Sequence, residues 1–237
     1  MDPTLNSPMG FAHFITQSDA VGKLLLAVLV LMSVASWALI AVKGLTQLLR
    51  NRRSATFLGF FWNARSLEAV QAELSTQGAH DPFSQLSAYP LHAQAHHGAA
   101  RLADAGSAHD FITRSIKKVL DEETTRLDNG LTTLATVGAT APFVGLFGTV
   151  WGVYHALLAI GMRRSGTLDQ VAGPVGEALI MTGIGLAVAI PAVMAYNAFT
   201  RSNRVLAARL DAFAYELHSF LTLGEAPGAA APSRAAV

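Results

Sequence analysis

The sequence predicts an all-α membrane protein with three transmembrane helices, the second and third extending into a cytoplasmic helical bundle. Two compositional facts and one physical constraint carry that expectation. The chain is 51% hydrophobic and 14% charged, against about 25% charged in an ordinary globular domain. The missing charge is concentrated in three gaps free of Asp, Glu, Lys and Arg, at residues 24–42, 129–162 and 178–200. Crossing a hydrocarbon core of about 30 Å takes about 20 helical residues, so each gap can span. Inside a bilayer every backbone N–H and C=O must be bonded within its own segment, which makes spans of this length helices.

Residues 1–23 form a segment ahead of the first span, at 24–42. That span has no basic n-region before it, only Asp2, Asp19 and Lys23. Its apolar run also exceeds the about 7–15 residues of a secretory signal, so it reads as a retained span. Residues 43–130 lack the alternating β-branched runs of strands and read as helical throughout. The helix of span one is expected to continue toward Leu74 and end before the break at Gly78, Asp81 and Pro82. A weaker helical stretch covers 83–105, with Pro90 inside it, and Ser107 with Asp110 makes a candidate capping box.

Ile112, Ile116, Val119, Leu127, Leu131 and Leu134 then recur at helical spacing, so one helix over 108–161 is expected to carry the second span, at 131–162. A short loop at 163–173 leads to the third span, at 174–200. After it, at 201–223, Leu206, Leu210, Phe213, Leu217 and Phe220 alternate steps of four and three, a short a/d seam. Gly224 can stop that helix, and the Ala/Pro-rich residues 224–237 read as a disordered tail.

Basic residues set the expected orientation. Lys43, Arg50, Arg52, Arg53, Arg114, Lys117, Lys118, Arg126, Arg201, Arg204 and Arg209 fall on one side of the spans, and only Lys23, Arg163 and Arg164 on the other. The positive-inside bias therefore places the amino terminus outside and the carboxyl terminus in the cytoplasm. A net charge of +1 gives no reason to expect nucleic acid as a partner, and the absence of cysteine excludes disulfides and thiol chemistry.

The second gap is unusually rich in small residues. Gly138, Gly145, Gly152 and Ala159 fall at seven-residue intervals, with Ala141, Gly148 and His155 three residues after the first three. Ala178, Thr182, Gly185, Ala189 and Ala192 make a matching stripe in the third span. Small residues let helix backbones approach closely where lipid offers no hydrophobic drive. On these stripes Thr149 lies about 20 Å and Thr182 about 16 Å from the outer ends, at about 1.5 Å per residue. Two hydroxyls can meet near the midplane, or each can bond a carbonyl of its own helix.

Glu177 is the only carboxylate in any span and lies about 9 Å in by the same count, with His155 at a similar depth. A charge within a bilayer is costly, so Glu177 is expected to face protein or water in a proton path, with His155 an accessory and the two a candidate pair. The competing expectation is an interfacial glutamate reaching the headgroups. No titrating group sits near the midplane, so a proton relay here needs an acid from another subunit.

Catalytic motifs are absent: no Gly-x-Ser-x-Gly, phosphate-binding loop or His-Glu-x-x-His occurs, and the chain is expected not to be an enzyme. His92, His96 and His97, flanked by His80 and His109, read as a solvated face rather than a metal site. No cofactor is implied.

The runs Gly-Ala-Thr-Ala-Pro-Phe-Val-Gly-Leu-Phe-Gly-Thr-Val-Trp-Gly (138–152) and Gly-Pro-Val-Gly-Glu-Ala-Leu-Ile-Met-Thr-Gly-Ile-Gly-Leu-Ala-Val-Ala-Ile-Pro-Ala-Val-Met-Ala-Tyr-Asn (173–197) resemble the signature spans of the MotA/TolQ/ExbB family. The likeness covers nearly the whole chain and is nearer to its ExbB branch than to its TolQ branch. It implies a pentameric ring in the bacterial inner membrane, around the transmembrane helices of ExbD-type single-span partners whose aspartate is the titrating acid. Proton flow would drive motion that reaches TonB, powering outer-membrane uptake of siderophores and cobalamin. A TolQ-type subunit would instead power TolA and maintain the outer membrane. Thr149 and Thr182 match the family's pore-facing threonines, and Glu177 its glutamate at the head of span three. His155 matches a variable position.

Overall fold

The computed structural model describes residues 19–64, 66–96, 108–163 and 168–223. Among them are six α-helices and no strand: α1 Ala20–Asn63, α2 Leu67–Gln77, α3 Pro82–His96, α4 Ala108–Asp128, α5 Leu131–Arg163 and α6 Leu168–Leu223. Three helical stretches are long and apolar enough to cross a membrane, Ala20–Asn63, Ile112–Leu158 and Ala178–Leu221. The chain divides into two compact units, Met1–Val42 with Gly130–Phe199 and Lys43–Asn129 with Thr200–Val237.

In the first unit α5 and α6 pack through small residues. Ala141, Ala189 and Ala192 are buried among Leu29, Leu134, Val137 and Met181. The outward faces are no less apolar: Leu31, Phe143, Val150, Leu179 and Met194 are all exposed. A helix hydrophobic all round belongs in lipid or among other helices rather than in water.

The second unit is organised around Phe61, which is fully buried. Its ring meets Phe213 edge-on at 4.9 Å and Trp62 at 5.4 Å. Leu206, Leu210, Phe213, Leu217 and Phe220 are all buried, joined by Ile112, Ile116, Val119 and Leu127 of α4. The 4-3-4-3 stripe is thus the inner face of α6 here.

Two expected helices are shorter than their apolar periodicity suggests. Span one's helix ends at Asn63 rather than near Leu74. Ser66 is extended there (φ −155°, ψ 157°), and its hydroxyl accepts the Ala69 N–H, which starts α2 as a new helix. Gly78, at φ 75°, closes α2. Asp81 then caps α3, its carboxylate accepting the N–H groups of Phe83 and Ser84.

The single helix expected over 108–161 is likewise broken, at Asn129 and Gly130, where Gly130 adopts φ 78°. Asn-Gly is turn chemistry, and only glycine enters that region freely. Ser107, residues 97–105 of the weaker stretch and the tail at 224–237 lie outside the described residues.

The break withholds helical donors from the last carbonyls of α4. For Leu127 they come from elsewhere in the unit: Lys43 Nζ of α1 donates to its carbonyl at 3.0 Å, and Asn203 Nδ2 of α6 at 2.7 Å. Lys43 begins a polar stripe along α1, continued by Gln47, Arg50 and Ser54 at steps of four, three and four. Gln47 donates to Ser202, and Ser54 to the buried Asp81. Arg50 feels the charge of Glu123, a buried carboxylate that accepts from Arg126 at 2.7 Å. Sequence reasoning read Lys43 and Arg50 only as orientation signals; their spacing with Gln47 and Ser54 is the mark of a polar seam, half-buried at the first three and buried at Ser54.

Candidate functional site

The site is built where α5 and α6 approach most closely in the first unit. A β-carbon added to Gly145 would lie 2.6 Å from the Met181 carbonyl oxygen, and one added to Gly185 would lie 2.7 Å from that of Ala141. Gly138 faces Val193, Gly148 faces Met181 and Gly152 faces Ala178. The five glycines therefore lie along one α5–α6 seam, where absence of side chains sets the spacing.

That spacing brings two hydroxyls together. Thr149 Oγ1 and Thr182 Oγ1 are 2.7 Å apart. Thr149 Oγ1 is also 3.1 Å from the Gly145 carbonyl oxygen and 2.9 Å from that of Leu146. A carbonyl only accepts, and a threonine has one proton. When Thr149 donates to its own helix, Thr182 must be the donor to Thr149. The two hydroxyls meet as expected, and back-bonding to its own helix is seen at Thr149, so the two form one directed chain. Thr149 is only 7% exposed, whereas Thr182 is partly open, so the chain is sealed at Thr149 and accessible at Thr182. Reversing it, so that Thr182 donates outward, makes Thr149 give up its carbonyl bond. The pair can thus accept from or donate to a facing group, but cannot itself hold a charge.

Glu177 lies on α6, and its side chain is outside the described residues, as is any pairing with His155. His155 is exposed on α5, with its Nδ1 3.1 Å from the Trp151 carbonyl oxygen. Of the histidine-rich stretch, His80 is exposed beside Gly78, while the side chains of His92, His96, His97 and His109 are outside the description.

One contact had no sequence signal: Trp151 Nε1 donates to Asp19 Oδ2 at 2.6 Å, and no periodicity links residues so far apart in sequence. Burial pushes the Asp19 carboxyl up, but hydrogen bonds from Gly22 and Trp151 and the nearby His155 outweigh it, leaving it below the ordinary value.

Three apolar helices, a glycine-lined seam and a half-buried hydroxyl pair define a multi-pass helical membrane protein. Residues 85–212 match the family described as the MotA/TolQ/ExbB proton channel family. Biopolymer transport protein ExbB of Xanthomonas campestris pv. campestris (strain B100) is 43% identical over 231 residues, covering 92% of this chain and 90% of its own. The ExbB of Neisseria meningitidis serogroup A is 37% identical, covering 80% of this chain and 87% of its own. Tol-Pal system protein TolQ of Pseudomonas aeruginosa is 31% identical, covering 93% and 96%. The chain belongs to the MotA/TolQ/ExbB proton channel family.

Proposed function

We propose that this chain is the non-enzymatic proton-channel stator subunit of a TonB-energising complex. On this reading it sits in the bacterial inner membrane with its amino terminus in the periplasm and its carboxyl terminus in the cytoplasm, as the eleven-to-three split of the basic residues that flank the spans favours. A pentameric ring of this chain surrounds an ExbD-type partner, whose aspartate supplies the acid that residues 129–162 and 178–200 lack. Motion driven by proton flow is passed to TonB, and through it to uptake of ferric siderophores and cobalamin.

The observation that carries the proposal is the Thr149–Thr182 pair, a reversible hydroxyl chain with its open end on α6. When Thr182 accepts, it suits a protonated carboxyl; when it donates, it suits a carboxylate. The pair can therefore follow a partner's acid through both states without charging. Identity to an ExbB at 43% supports the TonB assignment over a TolQ-type role powering TolA, although a TolQ at 31% over 93% of the chain keeps that second reading in view.

Ferric-siderophore uptake in a strain lacking this gene, scored beside detergent sensitivity, decides between them. Lost uptake with a sound envelope supports the TonB role. Normal uptake with a leaky envelope moves the chain to the Tol system.

A further inference from the structure

We infer that His155 collects the proton at the outer end of the path, with Asp19 and Trp151 as its positioning residues. The inference rests on the proton-channel reading and its orientation, and adds a residue to it. The first support is the tautomer. His155 Nδ1 is 3.1 Å from the Trp151 carbonyl oxygen. Because a carbonyl only accepts, Nδ1 carries the hydrogen, and the lone pair of the neutral ring is on Nε2. The ring is thus set in one orientation, with its basic nitrogen turned away from its own helix.

The second support is the surroundings. The His155 ring lies against the Trp151 indole at 4.5 Å, with the Tyr154 ring edge-on at 5.3 Å. A protonated imidazole there meets the face of an indole, which attracts cations. Trp151 in turn is tied to the start of α1: its indole donates to Asp19 Oδ2, while Asp19 Oδ1 accepts the Gly22 N–H at 2.8 Å. Both carboxylate oxygens are held, so Asp19 keeps its negative charge and does not compete for the proton. From α1 the charged groups on this side are Asp19 and the exposed Lys23; from α5, Tyr154 is the other titratable neighbour; on α6, Glu177 lies outside the described side chains.

The third support is position. His155 is exposed, and Thr149 lies six residues before it on α5, about 9 Å toward the inner side. The step balances simply: Nε2 takes a proton from hydronium, forming one N–H bond and releasing water, then returns it to water on the inner side and is neutral again.

The test uses the full chain assembled with its partner subunit in cells, reading the initial rate of siderophore uptake against external pH between about 5 and 8, where histidines change charge. We expect an inflection in the native profile. His155→Gln, which can still donate to the Trp151 carbonyl, lowers the rate several-fold and removes the inflection, at unchanged complex yield. Asp19→Asn, which disturbs the hold on the Trp151 indole, lowers the rate while keeping the inflection. A flat native profile, or an inflection that survives His155→Gln, overturns the inference. Thr149→Val with Thr182→Val, run in the same assay, separates the two levels. If that double variant retains uptake, the channel reading itself falls. If it loses uptake while His155→Gln behaves as native, only the role of His155 falls. In the purified complex, imidazole NMR should find the neutral His155 ring protonated on Nδ1; protonation on Nε2 overturns the geometry directly.

Discussion

Gly145 and Gly185 face each other with no room for a methyl group on either. A β-carbon on Gly145 would lie 3.1 Å from the Cα of Gly185, and one on Gly185 would lie 3.1 Å from the Cα of Gly145. Each would also press on a backbone carbonyl of the other helix, which cannot swing aside as a side chain can. Overpacking of this kind costs about 1–3 kcal/mol. Gly145→Ala and Gly185→Ala should therefore lower the thermal midpoint of the purified protein and reduce energised transport together. Gly183→Ala meets nothing within 4 Å and should leave the midpoint unchanged or slightly raised, since alanine is the better helix former. Equal loss in all three would place the damage outside the α5–α6 seam.

The hydroxyl chain makes a second prediction, because its two members have different jobs. Thr182→Val removes the accessible hydroxyl, and Thr149→Val removes the acceptor that orients it. Either should reduce proton-driven uptake at least tenfold, and the double variant should be little worse than the more severe single, since members of one network do not add. Thr182→Ser keeps the hydroxyl and should keep most of the activity. Siderophore uptake normalised to protein level checks this, and additive losses would mean that the threonines act separately.

A third prediction concerns the end of α4. Lys43→Met removes one of the two side-chain donors to the Leu127 carbonyl, and Asn203→Leu removes the other. Each single variant leaves one donor and should cost less than about 1 kcal/mol; the pair leaves a carbonyl wanting and should cost about 1–3 kcal/mol. Chemical denaturation of the four proteins in the double-mutant cycle reads the coupling. Gly130→Ala, forced into φ 78°, should add about 1–2 kcal/mol of strain.

Glu216 supplies a pH test. It lies on α6 beyond the third uncharged gap, and burial pushes its carboxyl above the ordinary value. With the folded value above the unfolded one, the native state holds the proton more tightly. Stability therefore falls as pH rises from the unfolded value, 4.5, through the higher folded one, and the ionised group is a small liability at neutral pH. Glu216→Gln should raise the melting temperature at pH 7 slightly, the effect kept small by solvent screening of a partly exposed group. The gain should shrink as pH falls through the raised folded value toward 4.5 and be gone below it. A gain that grows toward acid pH would reverse the sign argued for this residue.

Much of this was legible because a bilayer constrains composition, and composition is plain in a sequence. The gaps at 24–42, 129–162 and 178–200 could be nothing but helices once they were taken to span. Counting residues along them put Thr149 and Thr182 at similar levels, and their oxygens touch. The helix breaks at Asn63 and Gly130 were hidden because apolar spacing continues through them: Leu127 and Leu131 are buried on either side of the Asn129 and Gly130 turn. The Asp19–Trp151 bond and the Lys43–Leu127 bond depend on which turns of which helices come to lie together. No local pattern encodes that. The side chain of Glu177 lies outside the described residues, so its part in the site rests on its depth in the span and on resemblance.

The Leu127 carbonyl also carries a schedule. Its first donor, Lys43, is synthesised eighty-four residues before it, and its second, Asn203, seventy-six residues after it. During translation the unit that contains all three can be started but not finished. Phe61 and Leu86 must wait for Phe213, Leu217 and Phe220 of α6, which leave the ribosome well after them. Until then a nascent chain presents a large unpaired apolar surface, the kind that aggregates or recruits chaperones. A ribosome stalled after the third span but before α6 is complete therefore releases a protein with its spans made and its second unit open, a ready substrate for quality-control proteolysis.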